Sequence, residues 1–162
     1  MSTARFTPTP LAKARRHSAA VLVVGALLLA LTGPRVVAAE SFVVIVNSSV
    51  PGASVHRADL AAVFMKKAVR WGDGSPASPV DQSGTSPVRR AFSDAVLQMP
   101  VTGVLQYWQR QLLSPSAQLR IPIVKGSDAE VLAYVAKTGG AVGYVTVGAT
   151  LPPGLKAIAI VD

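Results

Sequence analysis

The stretch "VDQSGTSPVRRAF" (residues 80–92) sets turn formers, three hydroxyls and two arginines between an apolar run and a helical pattern. Ala77 to Asp81 reads as a short strand. Ser86 followed by Pro87 reads as the N-cap and first position of a helix, with Val88, Phe92, Ala95 and Val96 on one face. Ser83-Gly84-Thr85 offers an alternative start to the same helix. Strand, loop and helix in succession form the unit from which α/β folds are assembled. A helix N-terminus has unpaired N–H groups and a partial positive charge, which an oxyanion satisfies together. Ser83, Thr85 and Ser86 add hydroxyl donors, Gly84 permits close approach of the backbone, and Arg89 in the first turn can fold back over the helix end. Arg90 points about 100° away round the helix. Asp, Ser, Gly and Pro are also what ordinary loops are made of, and on residue chemistry alone the plain loop is the stronger reading.

The flanking segments extend the alternation. "FVVIVN" (42–47) is a β-branched apolar run suited to a strand buried on both faces, and "SSVPGAS" breaks it. From His56 to about Val69, Leu60, Val63 and Phe64 form the stripe of an amphipathic helix, with Asp59 in the first turn and Lys66-Lys67 in the last. "RWGDGSPASPV" turns at Asp73-Gly74 and Pro76. A helix near Val101 to Leu113 presents Val104, Leu105, Trp108 and Leu112. "LRIPIV" reads as a strand interrupted by Pro122 and therefore at an edge. Ser127 and Glu130 make a capping box for a helix running to about Lys137, which Gly139-Gly140 ends. "AVGYV" and "LKAIAIV" close the pattern as two strands. The expected architecture is α/β, three layers with a mixed sheet, in a single domain over residues 40–162.

Residues 1–39 stand apart. A basic leader (Lys13, Arg15, Arg16), an apolar run from Ser18 to Thr32 and Val37-Ala38-Ala39 make the three-part pattern of a secretory signal peptide. The run is shorter than the roughly 20 residues that span a bilayer, so removal before Glu40 is preferred to a retained anchor. Arg15-Arg16 lacks the apolar pair of a twin-arginine signal, which favours general secretion into the periplasm. Five of the 16 basic residues lie in this leader (Arg5, Lys13, Arg15, Arg16, Arg35) and none of the eight acidic ones, leaving residues 40–162 with 11 basic against eight acidic, a net of +3. Scattered charge of that size sets nucleic-acid binding aside. With no cysteine in the chain, disulfides, thiol catalysis, thiolate metal sites and an N-terminal lipid anchor are excluded.

Three stretches resemble the phosphate-binding proteins of bacterial ABC uptake systems, in the type 2 periplasmic binding-protein superfamily. "LAAVFMKKAVRW" (60–71) resembles the family segment in which a Phe is followed by a Gly-Lys pair and then a Trp. "DQSGT" (81–85) resembles its anion-holding Asp-Gly-Ser-Gly-Thr loop, and "VAKTGGAVGYV" (135–145) is similar to a helix end and strand that read "PGAIGYV" in many relatives. The resemblance implies a single lobe of a two-lobed clamshell. It also implies a solute-binding module for an oxyanion, phosphate first, held by Ser83, Gly84, Thr85, Ser86 and Arg89. Implied partners are a membrane permease, a sensor, or a second lobe or subunit. Three positions depart from the family pattern: Gln82 replaces a glycine, Lys66 stands where relatives carry glycine, and the arginine expected two residues before the loop aspartate is Pro79. Gln82 and the missing arginine favour an alternative, an interaction module that keeps the lobe and has lost the ligand, whereas the retained Ser83-Gly84-Thr85 favours binding.

Other candidates read more plainly. Trp71 and Trp108 fit the core, Tyr107 and Tyr134 half-buried packing, and His56 a surface position with no second ligand at metal spacing. Ser83 has no neighbouring histidine, no G-x-S-x-G elbow occurs and the carboxylates are scattered, so the residues point away from an enzyme. No cofactor is implied.

Overall fold

The computed structural model describes residues 41–113 and 121–162. The proposed leader and its cleavage site lie outside these residues. In chain order the elements are β1 (Phe42–Asn47), β2 (Ser54–His56), α1 (Arg57–Phe64), β3 (Ser78–Gln82), α2 (Pro87–Phe92), α3 (Val101–Leu112), β4 (Ile123–Lys125), α4 (Asp128–Lys137), β5 (Ala141–Thr146) and β6 (Leu155–Val161). They form one mixed six-stranded sheet in the order β2-β6-β1-β5-β3-β4. β1 runs antiparallel to both neighbours, with Val44 opposite Tyr144 on one side and Ile158 on the other, whereas the β2–β6, β3–β5 and β3–β4 pairs are parallel. Five strands therefore point one way. Because α1, α2 and α4 follow β2, β3 and β4 directly, all three helices begin at the same edge of the sheet, where α/β folds place their ligands.

The period-2 alternation of the central strands divides the core in two. Phe42, Val44 and Val46 of β1, with Val142 and Tyr144 of β5, face α1, α2 and α3 through Leu60, Phe64, Phe92, Val104 and Trp108. Ile45, Val80 and Val145 face α4 through Val131 and Val135. This is the expected three-layer mixed sheet. Gly143 lets α4 sit close, since a Cβ there would come within 2.7 Å of Val131 and 2.8 Å of Val80. Asn47, at the end of β1, donates through Nδ2 to the carbonyls of Val135 (2.8 Å) and Ala136 (3.1 Å), satisfying acceptors in the last turn of α4.

Several boundaries differ from the sequence reading. α1 stops at Phe64, not near Val69: the amides of Lys67 and Ala68 both return to the Ala62 carbonyl at 2.8 and 3.0 Å, a turn that puts Lys66 at φ +55°. β2, a three-residue edge strand, falls in a segment too short and too rich in turn formers to show periodicity. After Phe92 the second helix widens into a π-helical turn, Ser93–Leu97, ended by Gln98 at φ +53°. On α3 only Val104 and Trp108 are buried; Leu105 and Leu112 are 50% and 57% exposed. They lie about 100° and 80° round the helix from Val104, outside the narrow contact stripe. The capping box of α4 is half made, for Ser127 Oγ accepts from the Glu130 N–H but Glu130 returns its carboxylate to the Gly126 N–H (2.8 Å). β4 is the edge strand expected, from Ile123, and the residues of "LRIPIV" before 121 lie outside the described segments.

Lys66 occupies the left-handed region at a position where relatives are expected to carry glycine, and its partly buried ammonium has a lowered pKa through desolvation. Lys66→Gly should raise stability by up to about 1 kcal/mol, the left-handed penalty less the extra freedom glycine gives the unfolded chain. Gly140→Ala should do the opposite on a larger scale, because φ is +73° there and a Cβ would stand 2.0 Å from the Pro76 carbonyl oxygen. Urea unfolding of the two variants checks both signs.

Candidate oxyanion-binding loop

The loop Ser83–Ser86 leaves the C-terminal end of β3 and enters α2 at the ligand edge of the sheet. Ser86 is the N-cap: its backbone is extended and its Oγ accepts from the Arg89 N–H at 3.3 Å, which decides between the two helix starts. Pro87 occupies the first helical position. The Ser86 N–H is taken by the Ser83 carbonyl (2.9 Å), the Arg90 N–H by the Ser86 carbonyl (3.2 Å), and the Ser83 N–H by Lys125 of β4 (2.9 Å). Val88, at the second helical position, is too early in the helix for an intrahelical acceptor. Gly84 and Thr85 are exposed, and Ser83 and Ser86 half-buried. Ser83 Oγ and Thr85 Oγ1 are hydrogen-bonded to each other at 3.0 Å, which leaves one of their two hydroxyl hydrogens free on the loop surface.

Beneath the loop is a buried polar cluster of which the sequence shows only the ends. Asp81, 6% exposed, receives an ion pair from Arg89 Nη1 on one carboxylate oxygen, and the Tyr144 hydroxyl and the Gln82 N–H (2.9 Å) on the other. Arg89 Nη1 also donates to the Gln82 carbonyl at 2.7 Å. Gln82 spreads further: its Nε2 donates to Asp128 Oδ1 (2.8 Å) and the Tyr144 carbonyl (2.9 Å), and its Oε1 accepts from Ser86 Oγ (2.8 Å). Asp128, the first residue of α4, also accepts from the Thr146 N–H at 3.0 Å. Two buried polar atoms, Arg89 Nε and Ser93 Oγ, have no protein partner among the described residues.

Burial raises the Asp81 carboxyl above its ordinary range, against the opposing pull of Arg89, Tyr144 and Gln82. Burial and then the Asp81 charge raise the Tyr144 hydroxyl far above its usual value, so it remains a donor. Partial burial works upward on Asp128 as well, but hydrogen bonds involving Thr146 and Gln82 outweigh it and hold that carboxyl below the usual range.

Four of the five expected site residues, Ser83, Gly84, Thr85 and Ser86, are gathered on one accessible loop. Arg89 corrects the expectation. It does not fold over the helix end toward solvent but turns inward, 4% exposed, onto Asp81. A buried carboxylate requires a countercharge, and with Pro79 two residues before Asp81 the guanidinium comes instead from α2. Gln82 accounts for its departure from glycine by linking the loop, β5 and α4. Sequence reasoning missed Tyr144 and Asp128, both distant in the chain from Asp81; the one available signal was a tyrosine within the glycine-containing strand "AVGYV". Trp108 is in the core as expected, while Trp71 is half-buried with its indole N–H on the Gly140 carbonyl (2.9 Å). His56 is exposed. It borders a cleft of about 500 Å³ that also touches Asp59, Arg70 and Trp71 and contains none of the loop residues.

No family model matches the chain, and no curated protein matches it. Solved structures do. The fold is similar to one lobe of phosphate-transport receptors. An ABC-type phosphate transport receptor from Vibrio cholerae superposes with a TM-score of 0.57 at 17% identity, over 74% of this chain and 46% of the receptor. PstS from Borrelia burgdorferi gives 0.56 at 16% identity, over 74% of this chain and 47% of that protein. The chain thus spans less than half the length of the receptors it matches. No helix among the described residues is long and apolar enough to cross a membrane.

Tyr144→Phe isolates one arm of the cluster. Removing a donor from a buried carboxylate should cost about 1–3 kcal/mol. Asp81 binds its proton more tightly folded than unfolded, so its contribution to stability declines as pH rises from the ordinary aspartate range through the raised native value. Losing Tyr144 raises that value further and steepens the decline. The penalty should therefore be larger at neutral than at mildly acid pH, as urea unfolding at the two pH values would show.

Proposed function

We propose that this chain is a solute-binding module for an oxyanion, with phosphate as the first ligand, acting outside the cytoplasmic membrane beside a permease, a sensor or a second lobe. The observation that carries the reading is the accessible Ser83–Thr85 loop at the N-terminal end of α2, with its two hydroxyls hydrogen-bonded 3.0 Å apart over the buried Asp81–Arg89 pair. Similarity of fold to an ABC-type phosphate transport receptor and to PstS supports it. The free hydroxyl hydrogen of the Ser83–Thr85 pair, the exposed Gly84 backbone and the Val88 amide would supply hydrogen bonds, and the helix dipole would supply the field. Nothing in this geometry builds a nucleophile and base, and the reading is one of binding without catalysis.

A single lobe offers the anion a floor without a facing wall, so its hydrogen bonds compete with water. The expected affinity of a monomer is tens of micromolar or weaker, on the order of −6 kcal/mol. The second reading, an interaction module without a ligand, is favoured by one observation: the Gln82 side chain occupies acceptor and donor positions at the base of the loop where relatives are expected to have glycine.

Isothermal titration of residues 40–162 with phosphate, sulfate, molybdate and nitrate separates the two. Binding of phosphate that Ser83→Ala and Thr85→Ala each weaken about tenfold, and that Thr85→Asp abolishes, is the expected result. Thr85 is the better place for a repelling carboxylate than Ser86, because Ser86 Oγ both caps the helix and donates to Gln82, and an aspartate cannot donate. Absence of binding for all four anions would favour the ligand-free module, and nanomolar affinity in a demonstrated monomer would refute the open-floor argument.

A further inference from the structure

We infer that the cleft beside β2 takes an extended peptide, which adds as a further strand to the free edge of the sheet with apolar side chains in the cleft and a basic one at Asp59. The site is separate from the β3–α2 loop, since β2 ends the sheet and β6, β1 and β5 lie between it and β3. Two independent observations point to a peptide. The first is the edge itself. β2 and β6 are parallel with Ser54 opposite Ala159, and the Ala159 N–H donates to the Ala53 carbonyl at 2.9 Å. Successive residues of a strand bond to opposite neighbours, so Ala53 and Val55 turn their backbone polar groups to β6, whereas Ser54 and His56 turn theirs away. Both outward residues are exposed, and no described strand pairs with them. Ser54 therefore presents an N–H and a carbonyl, and His56 an N–H, its carbonyl being committed to the first turn of α1. Such a row is a template for an added strand.

The second observation is the cleft of about 500 Å³. Side chains of a strand alternate between faces, so a cleft bordered by Ser54, Val55 and His56 together follows the edge of the strand. Its floor is buried and apolar, formed by Val50, Val63 and Ile158. Trp71 borders it with a half-buried ring held in place, for its indole N–H is on the Gly140 carbonyl and its own amide on the Ser75 carbonyl (2.8 Å). Charge at the rim selects the occupant. Arg70 donates to the Gly74 carbonyl at 2.8 Å, and the Asp73 carboxylate accepts from the Ser75 N–H (2.9 Å) and hydroxyl (2.7 Å). Asp59 is exposed and has no hydrogen-bond or ion-pair partner among the described residues. Two carboxylates against one guanidinium leave the rim net negative, and the free one calls for a cation. Asp59 belongs to α1, on the same side of the sheet as Val63 and Ile158, so the basic and apolar side chains of the peptide stand at alternate positions.

The probe is a short capped peptide of threonines carrying one lysine and two valines at successive alternate positions, titrated into the purified protein without phosphate and followed by amide NMR. The Ser54 and His56 amides should shift and gain exchange protection, and those of Ser83 and Ser86 should not. No response at β2 with the peptide at about 1 mM would overturn the proposal. N-methylation of one alternate set of peptide amides should weaken binding about tenfold or more, and of the other set no more than about twofold. Equal effects of the two sets would mean side chains caught in a hollow without strand addition, and would overturn it as well. Ser54→Pro removes an outward N–H and spares the ladder to β6, because an edge strand tolerates proline where its N–H faces solvent. With its fold checked by circular dichroism, it should lose about tenfold in affinity, and an undiminished affinity would count against the edge. Asp59→Asn should bind the lysine peptide about threefold more weakly and with a shallower salt dependence, while a glutamine-for-lysine peptide binds both proteins alike. Equal affinity of the two proteins for the lysine peptide would overturn the assignment of charge to Asp59.

Discussion

A single buried carboxylate governs the edge of the sheet where β3 passes into α2. Asp81 lies one residue before the end of β3, inside the protein, where an ionised group is tolerated only when countercharge and hydrogen bonds surround it. Arg89 supplies the countercharge and thereby fixes how α2 leaves the loop. Tyr144 supplies a hydroxyl and thereby ties β5 to β3 across their shared face. The ring of Tyr144 stacks on Phe92 at 4.0 Å and 7°, and Phe92 in turn packs on Phe64 and Phe42. Polar and apolar halves of the core thus meet in one side chain, and the position of the loop is set by both.

Much of this was readable from local signals and the rest was not, for reasons that follow the range of each interaction. The buried β1, the Ser86-Pro87 helix start, the Ser127 cap and the glycine-terminated α4 are decided within a few residues, where periodicity and capping chemistry act. The inward turn of Arg89 depends on a carboxylate eight positions away and on a tyrosine from another strand. A surface-facing arginine and a buried one have the same sequence context, so the helical angle alone sent Arg89 to the wrong side. The same limit explains Leu105 and Leu112, whose spacing suits a broad apolar face that α3, on the outside of its layer, does not present. At Lys66 the departure from an expected glycine was visible, but its meaning, a left-handed residue after α1, needed the backbone.

On the binding reading proposed above, the candidate loop has a hydrogen-bonded base and an accessible front. A base held by hydrogen bonds would reduce the entropy lost on binding, whereas an accessible front would leave each hydrogen bond in competition with solvent. Any second surface that covered the loop would change the second term without altering the first, which is how a weak half-site becomes a tight whole one.

The place of β1 in the sheet carries a consequence in time. The first strand of the described chain lies between the last two, with Val44 facing both Tyr144 and Ile158. As the chain is made from its N-terminus, β1 emerges with neither of its neighbours yet in existence. An apolar β-branched run without a partner must wait unpaired until β5 and then β6 follow, so the central ladder closes last and by contacts of long sequence separation. Until those last two strands are made, the centre of the sheet has no partner for its first strand.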